Sequence, residues 1–227
     1  DKVDVVIGGI LSASREAIRP LLNRASIPYV YTPLYEGGVC DSNAFMTGTT
    51  PAQQAEVLVP YAAKKWGGKA YILAADYNYG QYMAKWFQKF LRDNSGSAVG
   101  VDFFPLDVSD FNSTIAKIQQ ARPDFVISAL VGGAHLSFYR QWAAAGMKQR
   151  IPLASTTLGV GNEHKVLTSA EGDGILVAYN YSPELATPAN KAFLARWSAM
   201  HGGDTAAINE LAVLHYQGIK LWAEGVK

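Results

Sequence analysis

Short runs of β-branched and aromatic residues recur along this chain, separated by longer segments whose apolar residues fall at i, i+3, i+4 and i+7. That alternation is how a parallel sheet covered by helices reads, because each strand is buried on both faces and each helix on one. The strand candidates are residues 3–10, 28–32, 70–75, 98–104, 125–131, 152–156 and 174–180. A first helix is predicted from Ser12 or Ser14, with Ile18, Leu21, Leu22 and Ala25 on one face. A second opens on Thr50-Pro51-Ala52-Gln53, with Thr at the cap, Pro in the first turn and Gln three residues on, a capping-box pattern. Pro20 and Pro60 fall inside these two helices and are expected to kink or shorten them. Further helices are predicted over 79–94, 110–122, 133–146, 189–201 and 207–224, the fourth of these preceded by Thr187-Pro188 and followed by Gly202-Gly203.

Seven strands with interleaved helices predict an α/β fold of doubly wound parallel sheet, in one sheet or two. Two is the preferred reading, since 227 residues suit two smaller domains and segments 43–51 and 179–189 break the rhythm where a chain could change sheets. Long surface loops on a single sheet are the alternative. Twenty Lys and Arg against nineteen Asp and Glu leave a charge of +1, which offers no footprint for nucleic acid or an anionic membrane. No apolar run approaches the roughly 20 residues of a bilayer-spanning helix, so no membrane insertion is expected. The single cysteine, Cys40, excludes an internal disulfide framework and a multi-cysteine zinc site.

In open α/β sheets ligands bind beyond the carboxyl ends of the strands. The loops there carry few charges: Leu11-Ser12-Ala13-Ser14, Pro33-Leu34-Tyr35-Glu36-Gly37, Asp76-Tyr77-Asn78-Tyr79-Gly80, Gly132-Gly133-Ala134-His135 and Thr157-Leu158-Gly159-Val160-Gly161. Hydroxyls, aromatic rings and free backbone amides suit a small polar molecule held by hydrogen bonds between aromatic walls. Ser12 and Ser14 also read as plain helix caps, and Tyr77 and Tyr79 as loop-edge tyrosines with wet hydroxyls.

Enzyme signatures are missing. Gly67-Gly68-Lys69-Ala70 lacks the spacing and the hydroxyl of a phosphate loop, and Gly159-Val160-Gly161 continues without the third glycine of a dinucleotide cradle. There is no G-x-S-x-G elbow. His135, His164, His201 and His215 lack metal-binding spacing, so no metal, cofactor or catalytic residue is expected. Glu163, His164 and Asp76 remain open as an acid/base group assembled from distant segments.

Segments 8–24, 31–54, 74–81, 124–146 and 181–193 together resemble, in order along the chain, the type I periplasmic solute-binding proteins of ABC transporters. The similarity is to the branch that includes branched-chain amino acid, amide and urea binders. The resemblance implies two lobes joined by crossing strands, with ligand shut in the cleft by hinge closure. Residues 1–49 and 182–227 would form an incomplete first lobe and 50–181 the second. It also implies the central portion of a longer, periplasmic protein, a membrane permease as partner, and a partner cysteine for Cys40 that lies outside this sequence.

Carried over residue by residue, the resemblance places the ligand against Ser12, Ala13 and Ser14, then Pro33, Leu34 and Tyr35 from the first lobe. From the second it places Tyr77, Tyr79, Val131, Gly132 and Thr157. Leucine-type relatives carry a carboxylate near Thr157 to pair with the ligand's ammonium, because a charge buried in a closed cleft needs a partner. Thr157 cannot do this, which favours a neutral amide or urea-like ligand unless Glu36 or Asp76 supplies the charge. A ligand-sensing domain of the same fold and a Rossmann-like enzyme are the other readings.

Overall fold

The computed structural model describes residues 2–201 and 208–227. Among these, eight strands form two sheets in which every pairing is parallel. The smaller sheet has the order β1-β2-β3, from β1 (Val6–Ile7), β2 (Tyr29–Tyr31) and β3 (Ala44–Met46). The larger has the order β5-β4-β6-β7-β8, from β4 (Lys69–Ala75), β5 (Ser97–Phe104), β6 (Phe125–Ala129), β7 (Leu153–Ser155) and β8 (Leu176–Val177). Helices α1 (Ser12–Arg24), α2 (Ala55–Trp66), α3 (Asn78–Asp93), α4 (Asn112–Ala121), α5 (Gly133–Ala144), α6 (Ser169–Gly172), α7 (Pro188–His201) and α8 (Glu210–Gly225) connect and cover them. The chain is therefore a mixed α/β protein of parallel sheets and helices.

The larger sheet carries the core because its central strands are buried on both faces, and their period of two deals residues alternately to two apolar clusters. Ala70, Ile72 and Ala74 of β4 pack with Phe125 and Ile127 of β6 under Leu58, Met83, Phe87 and Leu91 of α2 and α3. Tyr71 and Leu73 face the other way, with Val126, onto Ile115 and Ile118 of α4 and Phe138, Tyr139 and Trp142 of α5. The smaller sheet is flanked by α1 on β2 and by α8 on β1 and β2.

Several elements differ from the sequence reading. The candidate strand 3–10 shrinks to two residues, because Gly8 and Gly9 turn to φ of +128° and +92°. β3 lies in the segment read as a break: Ala44-Phe45-Met46 has no β-branched residue to signal it and is held instead by its backbone pairing to Tyr29–Tyr31. α2 starts at Ala55 rather than Thr50, because Gln53 turns its side-chain oxygen back on the Thr50 N–H at 2.9 Å and closes a separate turn first. Both α1 and α2 continue past their prolines. The predicted start of the last helix at residue 207 and the Gly202-Gly203 stop lie outside the described residues.

The segments that follow β3 and β8 meet at one carboxylate. Glu210, at the start of α8, accepts from the Thr49 hydroxyl at 2.7 Å and the Asn180 backbone N–H at 2.8 Å, and the Asn180 amide donates to Thr49 Oγ1 at 3.0 Å. Burial pushes the Glu210 carboxyl up from its ordinary value against the two hydrogen bonds that pull it down. Among the described residues no helix is long and apolar enough to cross a membrane. Cys40 is exposed with a free thiol.

Candidate functional site

The carboxyl ends of β1, β2, β4, β6 and β7 converge, so the loops beyond them from both sheets line one small, half-open cavity. It measures about 60 Å³ and is lined by Ile10, Leu11, Ser12, Tyr31, Pro33, Leu34, Tyr77, Tyr79, Val131, Thr157, Val160 and Leu211. No charged side chain is in this wall.

On the side of the smaller sheet, the loop after β1 delivers Ser12 to the first turn of α1, where Leu11 occupies the cap position and no side chain caps the helix. The Ser12 hydroxyl instead donates to Glu36 Oε2 at 3.0 Å. Arg15, one turn on, grips the same carboxylate through two nitrogens at 2.6 and 3.2 Å, and its Nε donates to Glu16 at 2.9 Å. Arg15 and Glu36 are 2% and 1% exposed, and the guanidinium lies 4.8 Å over the Tyr31 ring and 5.3 Å over the Tyr35 ring. Burial opposes the Arg15 charge, yet the bonds to Glu36 and Glu16 outweigh it and hold its pKa above the usual value. The Glu36 loop is pinned to α3 by Trp86, whose indole N–H donates to the Glu36 carbonyl at 3.0 Å. Tyr31 donates to the Ile10 carbonyl at 3.2 Å, and burial pushes its phenol up to about 12.

On the side of the larger sheet, Tyr77 and Tyr79 stand at the start of α3 with ring centroids 6.3 Å apart. They reach this position because Gly80 lets the helix lie against the end of β4, where a Cβ would strike the Ala75 backbone. Burial raises both phenols, against a side-chain hydrogen bond with Thr156 that pulls the buried Tyr79 hydroxyl the other way. Thr157 donates to the Leu130 carbonyl at 2.8 Å. Beneath it Ser155 receives the Tyr139 hydroxyl at 2.9 Å and the Thr157 and Leu158 N–H groups at 3.1 and 3.0 Å, and His135 Nε2 lies 2.8 Å from Tyr139.

Burial drives the His135 imidazole down to about 3. The same side chain in the unfolded chain titrates near 6.5, so unfolding takes up a proton at any pH between these values. Stability is therefore complete above about pH 6.5 and falls as the pH drops toward 3. Thermal melts are expected to show a loss of about 3 kcal/mol between pH 7 and pH 4 from this residue, and a shallower slope in His135→Gln.

The family model for periplasmic binding proteins matches residues 1–227, the whole of this sequence. The chain belongs to the periplasmic binding protein family. Solved structures agree with the type I members from ABC transporters. A solute-binding protein from Rhodopseudomonas palustris in complex with benzoate is 25% identical, with a TM-score of 0.84 over 99% of this chain and 62% of that one. A second, from R. palustris BisB5 in complex with 3,4-dihydroxybenzoic acid, is 26% identical, with a TM-score of 0.80 over 100% and 62%. The leucine-, isoleucine-, valine-, threonine- and alanine-binding protein of Brucella ovis shares the fold at 19% identity, with a TM-score of 0.84 over 99% and 60%. This chain thus spans about three fifths of the length of the structures it matches.

In this binding protein the residues named from sequence separate into two groups. Ser12, Pro33, Leu34, Tyr77, Tyr79, Val131 and Thr157 line the one cavity. Ala13 and Gly132 are exposed, Ser14 is half-buried, and Tyr35 turns its hydroxyl to the Val39 N–H at 2.9 Å; none of the four is in the wall. The capping role considered for Ser12 is replaced by its bond to Glu36. Glu36, considered as a partner for a ligand charge, is already held by Arg15, and Asp76 is exposed and accepts from Gln81 at 3.1 Å. Glu163 accepts from the Gly159 and Gly161 N–H groups and keeps 3.9 Å from His135 Nδ1. Sequence reasoning missed Tyr31, Ile10, Leu11, Val160 and Leu211. Tyr31 was accessible as the last residue of its strand, whereas Leu211 reaches the wall from a helix more than fifty residues downstream of Thr157.

A second hollow, of about 290 Å³, lies beside Leu158, Gly159, Tyr179, Tyr181 and Glu210. Asn209, in its wall, donates to the carbonyl of Val160, in the wall of the first, at 2.7 Å. Among the described residues no group of three or more His, Cys, Asp or Glu side chains could hold a metal ion.

Proposed function

We propose that this chain is the ligand-holding portion of an extracytoplasmic solute-binding protein that captures a small neutral amide or urea-like molecule and delivers it to the permease of an ABC transporter. It binds and does not catalyse. In this reading residues 1–49 and 182–227 belong to one lobe and 50–181 to the other, and the ligand is enclosed where the two sheets face each other. The observation that carries the reading is the uncharged wall of the cavity, to which the smaller sheet's loops bring Ser12 and the larger sheet's loops bring Tyr77, Tyr79 and Thr157. A charged ligand enclosed there would lose its hydration with no ion to replace it.

An aromatic acid is the second reading, favoured by the two R. palustris proteins in complex with benzoate and 3,4-dihydroxybenzoic acid. Calorimetry on the full-length protein with acetamide, urea, benzamide, leucine and benzoate separates the two. Tight binding of a neutral amide or urea is the expected result, and binding of benzoate or leucine alone would overturn the amide reading. Tyr79→Ala is expected to weaken binding by about 1–3 kcal/mol, through lost ring contact and a lost hydrogen bond. Tyr79→Phe keeps the ring and is expected to cost about 1 kcal/mol. Unchanged affinity in both variants would remove Tyr79 from the site.

A further inference from the structure

We propose that Trp86 makes the closing contact of the cleft: its indole N–H, bonded to the Glu36 main-chain carbonyl at 3.0 Å, ties the two halves of the cavity wall together and sets how slowly a ligand leaves. The inference rests on the two-lobe reading above and not on which ligand is held. Trp86 is not in the cavity wall, so it is a positioning residue.

Each end of this bond belongs to a firmly held part of the wall. At one end, two nitrogens of Arg15 and the Ser12 hydroxyl hold the Glu36 carboxylate, so the loop after β2 and the first turn of α1 move together. The loop is also closed on itself, since the Tyr35 hydroxyl accepts from the Val39 N–H at 2.9 Å. Gly37 and Gly38 make the turn between them at φ of +99° and +89°, a region that glycine enters at no steric cost. That turn lays the loop against α3, where a Cβ on Gly38 would come 3.9 Å from the Tyr82 ring. At the other end, the close approach at Gly80 fixes α3 to the end of β4, and the Trp86 ring stacks on Phe90 with centroids 5.7 Å apart. The same helix brings Tyr77 and Tyr79 to the cavity about two turns before Trp86.

In the two-lobe reading the chain itself crosses after β3 and after β8, and those crossings survive a hinge motion. The Trp86 bond joins residues 50 positions apart that lie in different lobes, so parting the lobes must break it. Both groups then turn to water, which leaves the bond a modest net worth, all of it on the side of the closed form. A ligand enters and leaves through the open form, so closure multiplies every affinity by one common factor. Weakening closure therefore speeds exit, leaves entry unchanged and keeps the order of preference among ligands.

Two variants of the full-length protein test this. Trp86→Phe keeps a ring on Phe90 and removes the donor, whereas benzothienylalanine at position 86 keeps the two-ring shape and removes only the N–H. Each is compared with the natural protein by stopped-flow kinetics and calorimetry, using those of acetamide, urea, leucine and benzoate that bind. In both variants dissociation is expected to be about three- to tenfold faster and association to stay within about twofold. The ratio of affinities between any two of the compounds is expected to be unchanged. Dissociation within about twofold of natural in the benzothienylalanine protein overturns the proposal, because the bond then does not hold the closed form. An altered affinity ratio also overturns it, since that is the mark of a residue that touches the ligand. So does a lowered melting temperature with unchanged dissociation, the mark of a merely structural residue. The amide reading is judged separately, by which compounds bind the natural protein: benzoate or leucine alone would overturn that reading, and the same rates would still decide the closing contact.

Discussion

Arg15→Met is expected to destabilise the protein by about 3–5 kcal/mol, because it strands the Glu36 carboxylate in a site that water does not reach. Glu36 is 1% exposed and has Arg15 as its cationic partner, with Ser12 supplying the other side-chain hydrogen bond. The cost comes from leaving one charge behind rather than from losing an attractive pair. Arg15→Met/Glu36→Leu is therefore expected to recover most of the stability, since replacing both partners with apolar groups removes the desolvation penalty as well. Denaturant unfolding of the single and double variants checks the sign of the coupling. A single variant within about 1 kcal/mol of the natural protein would mean that water reaches the pair, and Arg15 and Glu36 would then behave as an exposed ion pair rather than a buried one.

Gly80→Ala is the second large effect, with an expected loss of about 3 kcal/mol or more. An added Cβ would come within 2.6 Å of the Ala75 nitrogen and closer still to its carbonyl oxygen. Backbone at the end of β4 cannot give way, because that strand has neighbours on both edges and apolar clusters on both faces. The helix must move instead, and it carries Tyr77 and Tyr79 out of the cavity with it. Thermal unfolding and ligand calorimetry are expected to fall together in this variant, whereas Tyr79→Phe lowers affinity with a smaller change in melting. Gly80→Ala with natural stability would show that α3 does not need this close approach.

The rhythm of strands and helices was legible because it follows from burial alone. A β4 that reads Lys-Ala-Tyr-Ile-Leu-Ala-Ala is apolar almost throughout since both its faces are covered, and α3 shows its apolar stripe since only one of its faces is. β3 was not legible, because its three residues owe their extended form to the edge of β2 rather than to their own side chains. The same division runs through the site. Ser12, Pro33, Tyr77, Tyr79 and Thr157, named from the resemblance, share one cavity wall because the loops that carry them all follow the carboxyl ends of parallel strands. Ala13, Ser14, Tyr35 and Gly132 share those loops but face elsewhere, which is decided by local turns that composition does not encode.

The sequence by itself determined the class of fold, the loops that follow the strands and the scarcity of charge in them, because periodicity and composition are properties of neighbours along the chain. Only the tertiary structure decided that Glu36 belongs to Arg15 rather than to a ligand, that Ser12 donates backward instead of capping its helix, and that Leu211 closes the wall. Each of these joins residues more than twenty positions apart or sets the direction of one proton. Such choices are made by packing, where a buried polar group must take whatever partner the fold brings within reach.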